Sequence, residues 1–341
     1  MHQKPTTGRR GLLLAGGTAL AMPALPRWAR AEAEYSLKLA HATPVDDPFN
    51  NRLVEAADLI KKESGGRVEL LVFPNGQLGG DNEVMSQVRS GAIDFCRPTG
   101  QLLSSLLPVA ATNALGFIWS SYDQIWPAMD GELGAFLRNQ ISAKTGMIPM
   151  PLMWDLGFRQ ITTSNRPVKT AEDLVGLKLR VPVAPSLISM FTALKAAPAG
   201  MQFGEVYSAL QTRVVDGQEN PLSLVSSGKF YEVQKYASMT NHVWDAYWIV
   251  CNARIWNRLP KPIQEVLGRN LDAGALRVRT DVAKLNDDLR ADLTKRGMVI
   301  NDTVPESFRK QLQAAGFYKE WRGKVGQEAW ALLEKQVGQL A

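Results

Sequence analysis

From Tyr35 the chain alternates apolar and polar residues through "YSLKLAHAT", the period of two that sets successive side chains on opposite faces of a strand. "DPFNNRLVEAADLIKKES" then repeats its apolar positions every three or four residues, the pattern of an amphipathic helix. Asp47 and Pro48 are its start signals and Gly65-Gly66 its stop. "RVELLVF" predicts a second strand, "GGDNEVMSQVRSG" a short helix and "AIDFCRP" a third strand. The alternation resumes in "MIPMPLMW", "RQITT", "AEDLVG", "LKLRV", "PSLISMFTALKA" and "FGEVYSALQTRVVDG". From Leu222 to Ala237 and from Lys261 to Arg296 the period is helical, and "WDAYWIVCN" between them is apolar and strand-like. Strands and helices that alternate in this way predict an α/β fold built on largely parallel sheet. One strand poses a question of its own. In "GLKLRVPVAP", residues 176–185, Leu177, Leu179 and Val181 face one way, Lys178 and Arg180 the other, and Arg180 stands two positions before Pro182, where the strand must end.

The length of 341 residues suits two domains with ample cores, and 45% hydrophobic with 21% charged residues describes an ordinary globular chain. The net charge of +6 would suggest a polyanionic partner if it were spread over the molecule. It is not. Lys4, Arg9, Arg10, Arg27 and Arg30 stand in the first 31 residues with no acid among them, and the remainder carries 34 basic against 33 acidic residues. Nucleic acid as a partner therefore has no support. The same 31 residues form an export signal: a basic start, a short apolar run from Gly11 to Leu25, and Ala29-Arg30-Ala31 as a small-residue cleavage pattern. The apolar run is too short to span a membrane, and Arg9-Arg10 ahead of Gly11-Leu12-Leu13 resembles a twin-arginine signal.

Chemistry-bearing motifs are sparse. Beyond the leader only His41 and His242 remain among histidines, and Cys96 and Cys251 sit in apolar runs that favour two buried thiols over a disulfide. There is no G-x-S-x-G elbow, no phosphate-binding loop and no dinucleotide fingerprint, and "NGQLGGDN" lacks the Lys and Ser/Thr of a phosphate cradle. No cofactor and no metal are expected, and no enzyme.

Five segments in order, "NGQLGGD", "GFRQITTSNRPV", "GLKLRVP", "FGEVYSALQTRVVDGQENP" and "FYEVQKYASMTNH", closely resemble the substrate-binding proteins of TRAP transporters, the DctP-like type that includes C4-dicarboxylate and sialic-acid binders. The likeness runs from about Tyr35 into the C-terminal helices. It implies a two-domain periplasmic binding protein of the Venus-flytrap kind, with crossing strands and a long helix spanning both domains. The implied domains are 34–156 plus 246–285, and 157–245 plus 286–341. The resemblance gives Arg180 a role as the fork that pairs with a ligand carboxylate, a match of planar donors to two oxygens. It assigns Arg159 of "GFRQ" and Asn220 of "GQEN" to the same carboxylate, Phe203 to the cavity wall, and Gln77 and Asp81 to the loop that crosses the cleft. His41, Thr99, Trp154, Trp244 and Tyr247 complete the candidates, with Trp248 and Leu102 on neighbouring segments.

Leu156 in "DLGFR" and Val183 after "LRVP" stand where relatives that bind sugar acids place asparagine, so the resemblance implies a ligand with few hydroxyls. The expectation is a small monocarboxylate, a 2-oxo or 2-hydroxy acid with an aliphatic or aromatic tail; a C4-dicarboxylate or a sugar acid is the alternative. The implied partners are membrane permease subunits of TRAP type, with a signalling receptor as the other use of the same cleft. A periplasmic monomer is expected.

Overall fold

A computed structural model describes residues 33–340, so the export signal expected over residues 1–31 lies outside the described residues. Two mixed sheets organise the chain. Strands β1 (Tyr35–Ala40), β2 (Val68–Phe73), β3 (Phe95–Cys96) and β4 (Met147–Pro149) build the first, and β5 (Trp154–Thr163), β6 (Lys178–Val181), β7 (Ala197–Gly200), β8 (Gly217–Pro221), β9 (Tyr236–Met239) and β10 (Trp244–Tyr247) the second. Then β11 (Val250–Asn252) returns to the first sheet and β12 (Val299–Asp302) closes the second. The orders are β2-β1-β3-β11-β4 and β12-β9-β5-β8-β6-β7, with β10 on β5. The described residues thus build two α/β lobes joined by crossing strands.

Three sequence expectations change. The sheets are mixed, because β11 runs antiparallel to β3 and β4, and β5 antiparallel to β8, β9 and β10; the strands that cross between lobes enter each sheet against its direction. "WDAYWIVCN" is two short strands serving different sheets, which an uninterrupted apolar run cannot reveal. The stretch Leu222 to Ala237 is helical only over Leu222–Ser227; Lys229 takes positive φ, a 3-10 turn follows, and the chain straightens into β9.

The crossing is built around a kink. Gly157 in β5 has φ of 88°, which only glycine adopts freely, and the register with β10 shifts there between Asp245 and Ala246. The Asp155 carboxylate secures the kink by accepting from Gly157 N at 3.0 Å and from Trp244 Nε1 at 2.8 Å.

Helix Lys261–Lys295 spans the lobes. Its Ile263, Leu267, Leu271, Ala275 and Val278 bury against Leu53, Ala56 and Ile60 of helix Pro48–Glu63 in the first lobe's core. Leu293 near its other end joins Val206, Leu210, Leu222 and Phe230 in the second lobe. The C-terminal helices (Pro305–Ala314, Phe317–Val325 and Gln327–Val337) bond to both lobes: Tyr318 donates to Gly116 O at 3.0 Å and Gln311 to Ala193 O at 3.0 Å. Cys96 and Cys251 are free and buried on neighbouring strands, where burial pushes both thiols up.

Candidate functional site

Lys178 points to solvent, whereas Arg180, two residues on, is 2% exposed, since β6 lies inside the sheet between β7 and β8. Arg180 Nε and Nη2 both donate to the carbonyl of Met201, at 3.0 and 2.6 Å. Met201 is held in turn by its N–H on Val181 O at 3.0 Å. This grip leaves Nη1 buried with no acceptor. Burial brings the guanidinium down to about 10, Arg159 pushes the same way, and Glu219, Asp81 and Glu205 oppose. The group is still a cation at neutral pH. A desolvated cation with an unfilled donor end is a strong site for an oxyanion.

Arg159 is differently employed. Nε donates to Glu219 Oε2 at 2.5 Å, Nη1 to Asp245 Oδ2 at 2.5 Å, and Nη2 to Glu219 Oε1 at 2.8 Å and Asn220 Oδ1 at 3.1 Å. All three nitrogens are therefore engaged within the protein, and the residue that sequence places on the ligand carboxylate here anchors β5 to β8 and β10. Asn220 spends its carbonyl on Arg159 and one N–H on Gln218 Oε1 at 2.5 Å, keeping a second N–H. His242 closes the network with Nε2 on Glu219 Oε2 at 2.9 Å and Nδ1 on Thr240 at 2.7 Å. Burial and Arg159 hold this imidazole low, against the pull of Glu219, so it is neutral with its proton on Nε2. Burial alone would raise the Glu219 carboxyl, but Arg159 and His242 bring it below its usual value; Asp245, where burial outweighs Arg159, rises to about 6.

The first lobe contributes a second buried arginine. Arg97 follows β3, is 3% exposed, and lies over the Phe49 and Tyr247 rings at 4.4 and 4.0 Å. Its Nη2 donates to Thr43 Oγ1 and to His41 Nδ1, the latter at 2.9 Å, while Nε and Nη1 have no acceptor. His41 gives its Nε2 proton to Asn50 Oδ1 at 3.0 Å. Burial and the Arg97 charge press His41 down to about 2. Trp154 completes this aromatic cluster, 4.8 Å from Phe49, with its Nε1 unpartnered.

Asp81 feels the charge of both arginines. It opens helix Asp81–Ser90, and burial raises its carboxyl while both Arg97 and Arg180 act to lower it. Its flanking residues touch the other lobe beside Arg180: Asn82 Nδ2 donates to Val183 O at 3.2 Å, and Gly80 lies against the Gln202 side chain, next to Met201. A groove of about 820 Å³ continues outward from this junction, with Gly79 and Gly80 on one wall and Phe203, Tyr207 and Phe230 on the other.

The remaining candidates scatter. Phe203 lines the groove, its ring 5.7 Å from Phe230, whereas Gln77 is exposed on the turn that precedes it. Thr99 caps the helical turn Gly100–Leu103 by accepting from Leu102 N at 3.3 Å, and Leu102 is buried there. Trp154, Trp244, Trp248 and Leu156 are core residues. Val183 offers only its carbonyl to Asn82. Sequence reasoning passed over Arg97, Glu219 and Asp245. A signal existed for Arg97, which follows an apolar run just ahead of Pro98, much as Arg180 stands two positions before Pro182. Glu219 stood beside Asn220 in "GQEN".

Residues 39–321 match the model of a family described as bacterial extracellular solute-binding protein, family 7. The sialic acid-binding periplasmic protein SiaP of Vibrio cholerae is 31% identical over 314 residues, which cover 90% of this chain and 95% of that protein. A TRAP periplasmic solute-binding protein of Sulfurospirillum deleyianum, solved with bound succinate, superposes with a TM-score of 0.82 at 30% identity, covering 91% of this chain and 100% of that one. Another from a Polaromonas species, bound to D-erythronate, gives 0.84 at 28% identity over 89% of this chain and 100% of that one.

Proposed function

The chain belongs to bacterial extracellular solute-binding protein family 7, the DctP-like solute-binding proteins of TRAP transporters, and from that premise we propose that it captures a small organic acid between its lobes and delivers it to membrane permease subunits in the periplasm. The observation that carries this reading is the Arg180 guanidinium, buried, charged and with Nη1 unfilled where the lobes meet. The ligand carboxylate takes that end of the fork, and Asn220 keeps one N–H that is not spent on Gln218. Arg159 shapes the site from behind, holding Glu219 and Asn220 in place. Proteins similar to this one bind sialic acid, succinate and erythronate, which supports an acid as the ligand and leaves its distal part to this chain's own residues.

The expectation of an apolar monocarboxylate drew on Leu156 and Val183. Leu156, Trp154, Trp244 and Trp248 are packed into cores and so describe stability more than ligand shape. The first lobe carries instead a polar cluster of Arg97, His41 and Thr43, with Asp81 within reach of the Arg97 charge, which favours an acid with polar groups at its far end. A thermal-shift panel of mono-, di- and sugar carboxylates on the purified mature chain tests the proposal. Saturation a hundredfold above Kd adds about 2.7 kcal/mol of stability, a clear rise in Tm. A panel in which no acid moves the melt would refute carboxylate binding.

A further inference from the structure

We propose that Gly80 against Gln202, and Asn82 bonded to Val183, form a latch between the lobes that sets how tightly a ligand is held without touching the ligand. This rests on the reading of Arg180 given above, because the latch acts on affinity through the closed arrangement of the lobes. Both contacts join protein groups only. Asn82, in the first turn of helix Asp81–Ser90, donates from Nδ2 to Val183 O at 3.2 Å, and Val183 lies two residues past the end of β6. The bond therefore runs from the first lobe to the loop that follows the Arg180 strand.

Gly80 meets the Gln202 side chain so closely that a Cβ there would stand 2.9 Å from Cδ and from Oε1. Gln202 is not free to swing aside. It caps the turn Phe203–Glu205, its side chain accepting from the Glu205 backbone N–H while its own backbone N–H donates to Glu205 Oε2 at 3.1 Å. Gly80 has φ of −73°, which any residue adopts, so glycine serves here for space and not for backbone freedom. Beyond this point the walls part: Gly79, Gly80, Gln202 and Phe203 line the groove of about 820 Å³ between the lobes. Gln202 also follows Met201, whose carbonyl takes two donors of Arg180, so the first lobe presses on the segment that anchors the fork. A ligand that needs the closed arrangement binds with an affinity scaled by the fraction of molecules closed. The latch raises that fraction for every ligand alike.

The test is double electron–electron resonance on the mature chain, with nitroxides at Asp46→Cys and Ser208→Cys, exposed positions in opposite lobes; Cys96 and Cys251 are buried and stay unlabelled. The short-distance fraction is read without acid and at rising succinate or D-erythronate. Asn82→Leu, which removes the donor, and Gly80→Ala, which fills the space, should each need about fivefold more acid for half closure. Gln202→Ser keeps a capping hydroxyl and clears the space, so it should restore Gly80→Ala. The factor should be the same for both acids. Factors that differ between the acids would show direct contact with the ligand and overturn the latch, as would an unchanged midpoint in either variant or no rescue by Gln202→Ser. If neither acid closes the unmodified protein, the acid-free spectra decide: the short-distance fraction falls in both variants, or the latch is overturned. None of these outcomes touches carboxylate binding at Arg180, which fails only if no acid moves the melt.

Discussion

His41 shows how a single side chain can connect site architecture to stability. Its ring faces Arg97, Thr43 and Asn50, all inside the first lobe, and is held neutral down to about pH 2. In the unfolded chain it titrates at its ordinary value near 6.5. Below that pH the unfolded state gains a proton that the folded state refuses, so stability is full above 6.5 and is lost as pH falls. His242 adds to the same slope, its imidazole also being held low. Each histidine contributes up to about 1.4 kcal/mol per pH unit. Asp155 and Asp245, both raised to about 6, act in the opposite sense below that pH, where the folded state takes up their protons first. Urea denaturation from pH 7 to 6 should therefore show the histidines pulling stability down with acidity, and His41→Asn should make that fall shallower. An unaltered slope in His41→Asn would disprove the buried neutral state.

At the scale of elements, the long helix carries a glycine where helix propensity argues against one. Gly274 lies where Lys261–Lys295 crosses the Trp154 ring, and a Cβ there would stand 2.5 Å from Trp154 Cη2. Alanine elsewhere in a helix gains about 1 kcal/mol over glycine. Here the ring is fully buried beside Phe49 and has nowhere to retreat. Gly274→Ala should instead cost about 1 to 3 kcal/mol, the usual range for overpacking, read as a lower urea midpoint. A stabilised variant would show that Trp154 is free to move. This contact also marks the limit of what sequence could show. The helix was legible from its period, but that its glycine seats the tryptophan opening β5 depends on a crossing between segments more than a hundred residues apart. Strands such as β7 and β9 escaped for a related reason. "APAG" is short, with no alternation, and "YASM" follows a helical stretch with only Lys229 at positive φ to signal the change.

Across the whole molecule, the site proposed above draws on both lobes rather than on any one segment. The second-lobe residues of the proposed site, Arg180, Asn220 and Arg159, came to notice because they lie within recognisable motifs. The division of labour among them did not, since the acids that occupy Arg159 come from β8 and β10 and meet it only in the fold. The setting of Arg97 was invisible in the sequence, since Phe49, Tyr247 and Asp81 reach it each from a different element. The lobes can close on a ligand only insofar as the ligand contacts the closed arrangement better than the open one. In the function proposed above, Arg180 is the contact on which that preference turns. The most direct measurement is therefore titration calorimetry of the tightest acid from the thermal-shift panel against Arg180→Ala and Arg180→Lys, each checked for folding by circular dichroism. The account predicts a loss of about a hundredfold or more for alanine and a large loss for lysine too, because an ammonium cannot present the planar fork. Near-unchanged affinity in both folded variants would contradict it.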